Sequence, residues 1–297
     1  MKTLDEMLAL GQPLVVIYHS LCMDGFTAAY VAQRRLGKDT ILLPHAYGSA
    51  ISGLPKGRCS IFMLDVSFSR EMMDQVAKEH DLVVLDHHKS AAANLAGADY
   101  AHFDMAKSGA GLAWDYFVGH CGPVSQLVQY VQDRDLWNWA LQNSQEVNAV
   151  IGSYAKTLDT WAALSDALEY NEGFWKIVAE GRAILRFQAI QVDRACLGAR
   201  PCDLDGIRGV AVNSGLFQSE IGHKLLADYP EAQFAAIWFE DSDGSWKFSL
   251  RGRKGGVDVS ELARKHGGGG HAAAAGYEVK PDLTTEEAPK VSDQVAA

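Results

Sequence analysis

The sequence predicts an α/β protein with two domains: a parallel-sheet N-terminal domain with a helical cap, and a smaller α/β C-terminal domain across a cleft. Three observations lead to this fold class. Short apolar runs alternate with helical patterns in the first ninety residues, the pattern is helical from about 109 to 196, and strand patterns return after 206. The length of 297 residues is also sufficient for two separate cores.

The first ninety residues have the pattern of βαβ units. Apolar residues recur at helical spacing over 26–36 and 70–80, and Ser69 is placed to cap the second of these helices. Because crossover helices connect parallel strands, this alternation favours a parallel sheet. The predicted strands are 14–18, 40–43, 60–64 and 82–85.

Two further groups of elements are predicted after residue 109. The first group is helical and would cap the sheet, because no strand pattern interrupts it. The second group mixes both patterns and has the apolar residues for a core of its own. The cap helices are predicted at 111–118, 124–132 and 173–196. The second group contains strands 210–213, 234–239 and 246–251 and helices 220–227 and 259–265.

Composition sets the domain limits. Gly198, Pro201 and Gly206 cluster between the two groups, which is typical of a linker. After Lys280 the chain is rich in Thr, Glu, Pro and Ala and has little to bury, which predicts disorder. The predicted limits are 1–196 for the first domain, 197–206 for the linker, 207–280 for the second domain and 281–297 for a disordered tail.

Charge and composition indicate which classes of partner the protein can bind. The formal net charge is -10, and long nucleic acid is held mainly by Lys and Arg, so we expect a small anionic ligand instead. The N-terminus lacks the features of a signal peptide, and no stretch approaches the roughly 18 apolar residues of a membrane span. A cytoplasmic protein without a membrane partner is therefore expected. The oligomeric state stays open, with a homodimer as one alternative.

The five cysteines do not indicate a disulfide framework. They are odd in number, scattered, and contain no C-x-x-C, which also argues against a structural zinc ribbon. Four of them are interpreted as ordinary thiols, whereas Cys22 stands among the site candidates. The others are Cys59, Cys121, Cys196 and Cys202.

Side chains that can bind metal follow three of the predicted N-terminal strands. The carboxyl ends of parallel strands share one edge, where ligands bind, so these side chains can converge. Clustered carboxylates repel one another without a cation, and two divalent ions about 3.5–4 Å apart suit phosphoryl hydrolysis. Taken singly, an Asp in such a place is as often a turn or capping residue. The candidates are His19, Cys22 and Asp24 after the first strand, Asp65 after the third, and Asp86, His87 and His88 after the fourth.

On these motifs the sequence resembles the DHH phosphoesterase family, with a DHH-associated C-terminal domain. The resemblance covers about residues 13–280 and implies a metal-dependent hydrolase of the oligoribonuclease-like branch. The motifs are Tyr18-His19-Ser20-Leu21-Cys22-Met23-Asp24-Gly25, Leu64-Asp65-Val66-Ser67, Val84-Leu85-Asp86-His87-His88-Lys89, Tyr130-Val131-Gln132-Asp133, and a glycine-rich segment from Gly267 to Gly276 that contains His271.

The resemblance also implies a role for each matching residue. Asp65 would bridge two ions, Asp86 would orient the ligating His87, and His88 would face the substrate phosphate. The glycine-rich segment would form a loop that admits a phosphate or sugar, with His271 opening a short helix. The implied metal ligands are His19, Asp24, Asp65, His87 and Asp133, and the implied substrate-binding residues are Arg251, Gly268, Gly269, Gly270 and His271.

Cys22 departs from the D-x-D that many family members carry in the first motif. A thiolate would favour zinc or iron, whereas a neutral thiol would leave that coordination position weak or open to water, and we favour the second interpretation. Two Mn²⁺ ions are expected, with Mg²⁺, Zn²⁺ or Fe²⁺ as alternatives.

The expected function is hydrolysis of short oligonucleotides or of linear or cyclic dinucleotides to mononucleotides. A phosphomonoesterase acting on 3′-phosphoadenosine 5′-phosphate would use the same chemistry. A non-catalytic nucleotide-binding module with a decayed metal site is the alternative from another class, and Cys22 is its main support.

Overall fold

The computed structural model describes residues 1–20, 22–45, 51–119 and 122–280. The chain forms two compact units, the first ending at Leu185 and the second beginning at Arg186. The predicted tail at 281–297 and Cys121 lie outside the described residues. Within the described ranges, no helix combines the length and the apolar character needed to cross a membrane.

A five-stranded parallel sheet forms the centre of the first unit. Its strands are β1 (Leu14–His19), β2 (Ile41–His45), β3 (Ser60–Leu64), β4 (Asp81–Asp86) and β5 (Ala101–Phe103). The strand order is β2-β1-β3-β4-β5, and every pair is parallel. The predicted parallel sheet is thus confirmed, with β5 as an additional short strand.

The central strands are buried on both faces, which explains their uninterrupted apolar sequences. Val16 and Phe62 face one core, while Val15 and Ile61, their neighbours along the chain, face the other. Both sides of the sheet are therefore covered.

In the part of the first unit that the structure describes, eight helices precede the long one that leads out of it. Several begin at side chains that accept a backbone N–H, as at Ser69 and Ser108. They are α1 (Leu4–Ala9), α2 (Met23–Leu36), α3 (Arg70–Glu79), α4 (Lys89–Asn94), α5 (Gly109–Phe117), α6 (Gln126–Asp135), α7 (Ser144–Ser153) and α8 (Leu158–Glu169), followed by α9 (Asn171–Cys196).

In its described residues, the second unit contains a six-stranded mixed sheet, the C-terminal part of α9 and two further helices. The strands are β6 (Arg200–Leu204), β7 (Ile207–Asn213), β8 (Phe234–Glu240), β9 (Trp246–Gly252), β10 (Gly269–His271) and β11 (Ala274–Val279), and the helices are α10 (Gln218–Asp228) and α11 (Val259–Lys265). The order is β10-β11-β9-β8-β7-β6, and only β7 and β8 are parallel. The fold class is confirmed as α/β with a second sheet.

Two segments differ from their predicted structure. The stretch predicted as a linker contains β6, and Pro201 is tolerated there because β6 is an edge strand. His271 does not open a helix; it ends β10, whose backbone groups pair with β11 across a two-residue turn. Gly270, with a φ of +139°, adopts a backbone conformation that L side chains rarely permit.

Candidate metal centre

The predicted site residues of the first unit gather where the path of the chain reverses in the sheet. β1 lies between β2 and β3, and ligands bind beyond the carboxyl ends of the strands at such a switch point. His19 ends β1, Asp65 follows β3 and Asp86 ends β4. The sheet therefore places three of the predicted residues at one edge.

Asp65 is the centre of this group and is 1% exposed. Its Oδ1 lies 3.1 Å from His87 Nε2 and 3.8 Å from His88 Nδ1, while its Oδ2 lies 3.0 Å from Cys22 Sγ and 3.7 Å from His19 Nδ1. Burial would raise the pKa of Asp65, but the hydrogen bonds from His19 and His87 prevail and hold that pKa well below its ordinary value. Asp65 is thus the carboxylate that three histidines and Cys22 approach.

The backbone at Asp65 is in the left-handed region, with a φ of +59°. Asp and Asn adopt this region more readily than most residues. The start of α5 packs directly against it, since a Cβ added to Gly109 would lie 2.6 Å from the Asp65 Cβ. Glycine at position 109 is therefore required for the close approach, although it belongs to none of the sequence motifs.

Asp24 is anchored by the same helix start. Its carboxylate accepts hydrogen bonds from the backbone N–H groups of Gly109 and Ala110, the latter at 3.0 Å. N-terminal N–H groups lack partners within the helix, and the helix dipole favours an anion there. Even so, burial and the nearby charges of Asp135 and Asp65 raise the pKa of Asp24 well above its ordinary value.

Asp86 organises the histidine pair, but not in the way the resemblance implied. Its Oδ1 lies 2.7 Å from His88 Nδ1 and accepts the backbone N–H of His87 at 2.7 Å, while Ser67 donates to Oδ2 at 3.0 Å. The carboxylate therefore orients the ring of His88 and accepts the backbone N–H of His87.

His87 is surrounded by carboxylates. Its Nε2 lies 3.1 Å from Asp65, 3.5 Å from Asp135 and 3.8 Å from Asp24. Burial would lower the pKa of His87, but the hydrogen bond to Asp65 and the three negative charges outweigh it and raise the pKa to about 10. The imidazolium thus supplies the positive charge that this acidic group requires.

The fourth acidic position is Asp135 rather than Asp133. The Asp133 carboxylate accepts the backbone N–H groups of Ala140 and Leu141, at 2.9 and 3.2 Å, whereas Asp135 Oδ2 lies beside His87. Residues two apart on a helix point in nearly opposite directions, so only one of the two can reach the site. The predicted helix ended at Gln132, three residues before α6 ends, so the sequence did not indicate which of the two aspartates faces the site.

Cys22 caps α2 and also faces the site. Its Sγ accepts the Gly25 N–H at 3.1 Å and lies 3.0 Å from Asp65 Oδ2. Burial and the charges of Asp65 and Asp24 raise the pKa of this thiol well above its ordinary value. In this arrangement Cys22 is a neutral thiol that donates to Asp65.

The donor atoms fit one or two divalent cations. Among the described residues of the first unit, three groups each place their ligand atoms within 4.8 Å of one another, and Asp65 belongs to all three. Carboxylate oxygen and imidazole nitrogen are ligands for Mn²⁺ and other first-row ions, and a shared carboxylate is suited to bridge two ions. The groups are Asp24, Asp65 and His87; His19, Cys22 and Asp65; and Asp65, Asp86 and His88.

Two of the predicted substrate-binding residues of the second unit, Arg251 and His271, lie in one register row. His271 on β10 pairs with Ala274 on β11, which pairs with Arg251 on β9. Directly paired residues share a face, and two strand spacings put Arg251 and His271 about 10 Å apart. The Arg251 guanidinium donates to Ser219 Oγ at 2.9 Å.

The glycines beside His271 allow two strands to approach closely. A Cβ added to Gly268 would lie 2.0 Å from the Gly276 carbonyl oxygen, and one added to Gly270 would lie 2.7 Å from the Ala274 oxygen. Gly269 pairs with Gly276 between them. The glycine run thus forms a hairpin strand.

Comparisons with known proteins identify one domain and two relatives. Residues 210–297 match the DHHA1 domain. The chain is 27% identical over 285 residues to the uncharacterized protein R106 of Acanthamoeba polyphaga mimivirus, covering 88% of this chain and 66% of that protein. It is 23% identical over 307 residues to oligoribonuclease NrnB of Bacillus subtilis (strain 168), covering 90% of this chain and 73% of that protein. The chain thus spans about two thirds to three quarters of the length of these relatives.

A solved structure supports the fold. The crystal structure of RecJ in complex with Mn²⁺ from Thermus thermophilus matches with a TM-score of 0.50 at 14% identity. The match covers 93% of this chain and 51% of RecJ. At this identity the likeness extends to the fold alone.

Proposed function

We propose that the chain is a member of the DHH phosphoesterase family and a metal-dependent phosphodiesterase that hydrolyses short oligonucleotides or linear or cyclic dinucleotides to mononucleotides. The observation that carries the proposal is the buried Asp65, shared by three groups of potential metal ligands. The DHHA1 match and the similarity to an oligoribonuclease support the substrate class.

Five side chains are assigned to two divalent ions. Asp65 is the shared ligand, and Asp135 takes the place that the sequence suggested for Asp133. A bound divalent ion polarises a phosphoryl oxygen and lowers the pKa of its water. Because imidazole must be neutral to ligate, His19 and His87 would hold an ion as neutral ligands. The assigned ligands are His19, Asp24, Asp65, His87 and Asp135.

His88 is assigned to the scissile phosphate. Its Nδ1 lies 2.7 Å from Asp86 Oδ1, which fixes the orientation of the ring, and we assign Nε2 to the substrate. Burial would lower the pKa of His88, but the charge and hydrogen bond of Asp86 raise it. A protonated His88 can donate to a phosphate oxygen and stabilise the negative charge that develops there.

The second unit is assigned to the part of the substrate beyond the scissile phosphate. The guanidinium of Arg251 suits bidentate phosphate contact, and His271 shares its sheet face. Local basic groups on a chain with a net charge of -10 favour a small substrate over a long strand.

We assign two Mn²⁺ ions as the cofactor, with Mg²⁺ as the nearest alternative. The assigned ligands are oxygen and imidazole donors, which suit these ions. The Cys22 thiol is already used by Asp65 and by the Gly25 N–H, which supports a weak ligand at most. Zn²⁺ or Fe²⁺ becomes the better assignment only if Cys22 ligates as a thiolate.

A turnover screen tests the proposal. The substrates are linear dinucleotides, cyclic dinucleotides, three- to five-nucleotide RNAs, 3′-phosphoadenosine 5′-phosphate and single-stranded DNA, each with Mn²⁺ or with EDTA. We expect Mn²⁺-dependent release of mononucleotides from the first three classes. An Asp65→Asn preparation, purified in parallel, measures contaminating nuclease activity.

Two results would overturn the proposal. Fastest turnover of 3′-phosphoadenosine 5′-phosphate would make the protein a phosphomonoesterase. Nucleotide binding without turnover of any substrate, in protein shown to contain metal, would make it a non-catalytic binding module.

A further inference from the structure

The segment after α6 holds two tryptophans in an unfavourable backbone conformation. Trp137 has a φ of +54° and Trp139 a φ of +53°. Bulky L residues rarely adopt this left-handed region, which glycine and asparagine occupy far more readily. A segment needed only to connect α6 to α7 would be more stable with glycine or asparagine at these two positions, so the presence of tryptophan requires another explanation.

Asp133 maintains this conformation. Its carboxylate accepts the N–H groups of Ala140 and Leu141, and its backbone oxygen accepts the N–H groups of Asn138 and Trp139, at 2.9 and 3.4 Å. Four hydrogen bonds to one residue thus hold the chain between α6 and α7. Asp133 therefore acts as a positioning residue for the tryptophans.

The two indoles are not part of the hydrophobic core. Within the described ranges, the apolar cores include Leu141 from this segment but neither Trp137 nor Trp139. Both tryptophans are half-buried, and their rings meet edge to face with centroids 4.9 Å apart. Each ring thus supports the other, and part of the aromatic surface reaches solvent.

The pair follows directly after a candidate metal ligand. Trp137 is two residues beyond Asp135, whose Oδ2 lies 3.5 Å from His87 Nε2. Two trans peptide units span at most about 7.6 Å between Cα atoms, so the backbone of Trp137 is fixed close to the site. An indole at this distance can reach a group one sugar away from a phosphate held there.

We propose that Trp137 and Trp139 form a stacking platform for a nucleobase of the substrate. This assignment rests on the proposed function, because it requires a nucleotide whose phosphate is held beside Asp65. Every base has a π face, so stacking of this kind discriminates little among bases. The platform thus selects nucleotides over other phosphodiesters without selecting a sequence.

Asparagine variants separate this role from a structural one. Trp137→Asn and Trp139→Asn remove the indole but suit the left-handed backbone, so we expect the unfolding temperature to be retained or raised. For a dinucleotide, kcat/KM should fall about 5- to 100-fold, mainly through KM. For the same phosphodiester built from abasic sugars, it should change less than about twofold. Trp137→Phe and Trp139→Phe should restore much of the loss.

Trp175→Ala on α9 is the matched control, since it removes an exposed tryptophan that packs on Phe174. It should leave kcat/KM unchanged for both the dinucleotide and the abasic substrate. Equal losses on the dinucleotide and on the abasic substrate would overturn the proposal, as would normal dinucleotide turnover in both asparagine variants.

Equilibrium binding distinguishes failure of the platform from failure of the proposed function. Calorimetry compares AMP with ribose 5-phosphate on the full chain in Mn²⁺. If wild type hydrolyses nothing but binds AMP more tightly, and Trp137→Asn removes that difference, the hydrolase assignment fails and the platform stands. Equal binding of both ligands to wild type would overturn the platform whatever the turnover.

Discussion

The two ends of β4 carry buried aspartates with opposite kinds of partner. Asp81 begins the strand and binds Lys2, the Arg58 guanidinium at 2.7 Å and the Gln12 amide at 2.9 Å. Asp86 ends the strand and belongs to a group of acids with Asp24 and Asp65. Within the described ranges, every ion pair of these three acids is with a histidine. A buried acid paired with Arg and Lys is already neutralised, whereas acids paired only with imidazoles can exchange a proton for a metal ion.

The pKa shifts follow the same division. The hydrogen bond from Arg58 holds the pKa of Asp81 well below its ordinary range. At the other end, burial and neighbouring acids raise the pKa of Asp24, and the pKa of His87 rises to about 10. The charge of Asp81 at the amino end of β4 is thus balanced by Lys2 and Arg58. At the carboxyl end, protons on Asp24 and His87 balance the acidic charge, and a divalent ion would displace them.

The largest effect is expected from Asp65→Asn. Metal ions supply several kcal/mol of transition-state stabilisation, so loss of the shared ligand should lower kcat/KM at least about 10³-fold. Asparagine keeps the shape and tolerates the φ of +59°, so the ion-free variant should unfold within a few degrees of wild type. Steady-state kinetics and metal content per chain check both parts. Turnover near the wild-type rate in metal-saturated Asp65→Asn would remove the metal site from this edge.

Asp135→Asn and Asp133→Asn test the reassignment at the end of α6. We expect Asp135→Asn to lower metal affinity and turnover about 10²-fold, because its carboxylate lies beside His87. Asp133→Asn should leave metal affinity unchanged, since its carboxylate accepts only backbone N–H groups. Titration with Mn²⁺ separates the two. The reverse ranking would restore Asp133 as the ligand.

Smaller effects are expected at Cys22. Serine is a good N-cap, so Cys22→Ser should keep the start of α2 and retain activity within a few-fold. Cys22→Asp adds a carboxylate and should remain active with a steeper requirement for Mn²⁺. Metal analysis of purified wild type and both variants is the measurement. Loss of activity in both, together with loss of bound zinc or iron, would identify a required thiolate ligand.

The sequence predicted the sheet better than the site details. The apolar runs of β3 and β4 placed Asp65 and Asp86 at the strand ends, because a strand buried on both faces leaves a clear sequence pattern. The choice between Asp133 and Asp135 depended on where α6 ends and on which helix face meets His87, and neither follows from local pattern.

Other differences arise from tertiary pairing. The glycine run before His271 is compatible with a loop, and only pairing with β11 makes it a strand. Tryptophan rarely has a positive φ, so the sequence does not predict the conformation of Trp137 and Trp139. That conformation depends on hydrogen bonds to Asp133, which form only in the folded chain.

Asp81→Asn provides the last test, with an effect on stability alone. Lys2 and Arg58 are about half exposed, so we expect a loss of about 1–2 kcal/mol at pH 7 and a lower unfolding temperature with unchanged turnover. A carboxyl whose folded-state pKa is depressed stabilises the fold above its unfolded pKa, near 3.9, and loses that contribution as the pH falls toward its folded pKa. The difference in unfolding temperature between wild type and Asp81→Asn should therefore be full at pH 7 and narrow below about pH 5. Thermal unfolding at pH 7, 4 and 3 measures it, because most of the change falls below pH 4. A difference that does not change with pH would assign the loss to packing, and a loss of turnover at normal stability would connect the amino end of β4 to the chemistry at its carboxyl end.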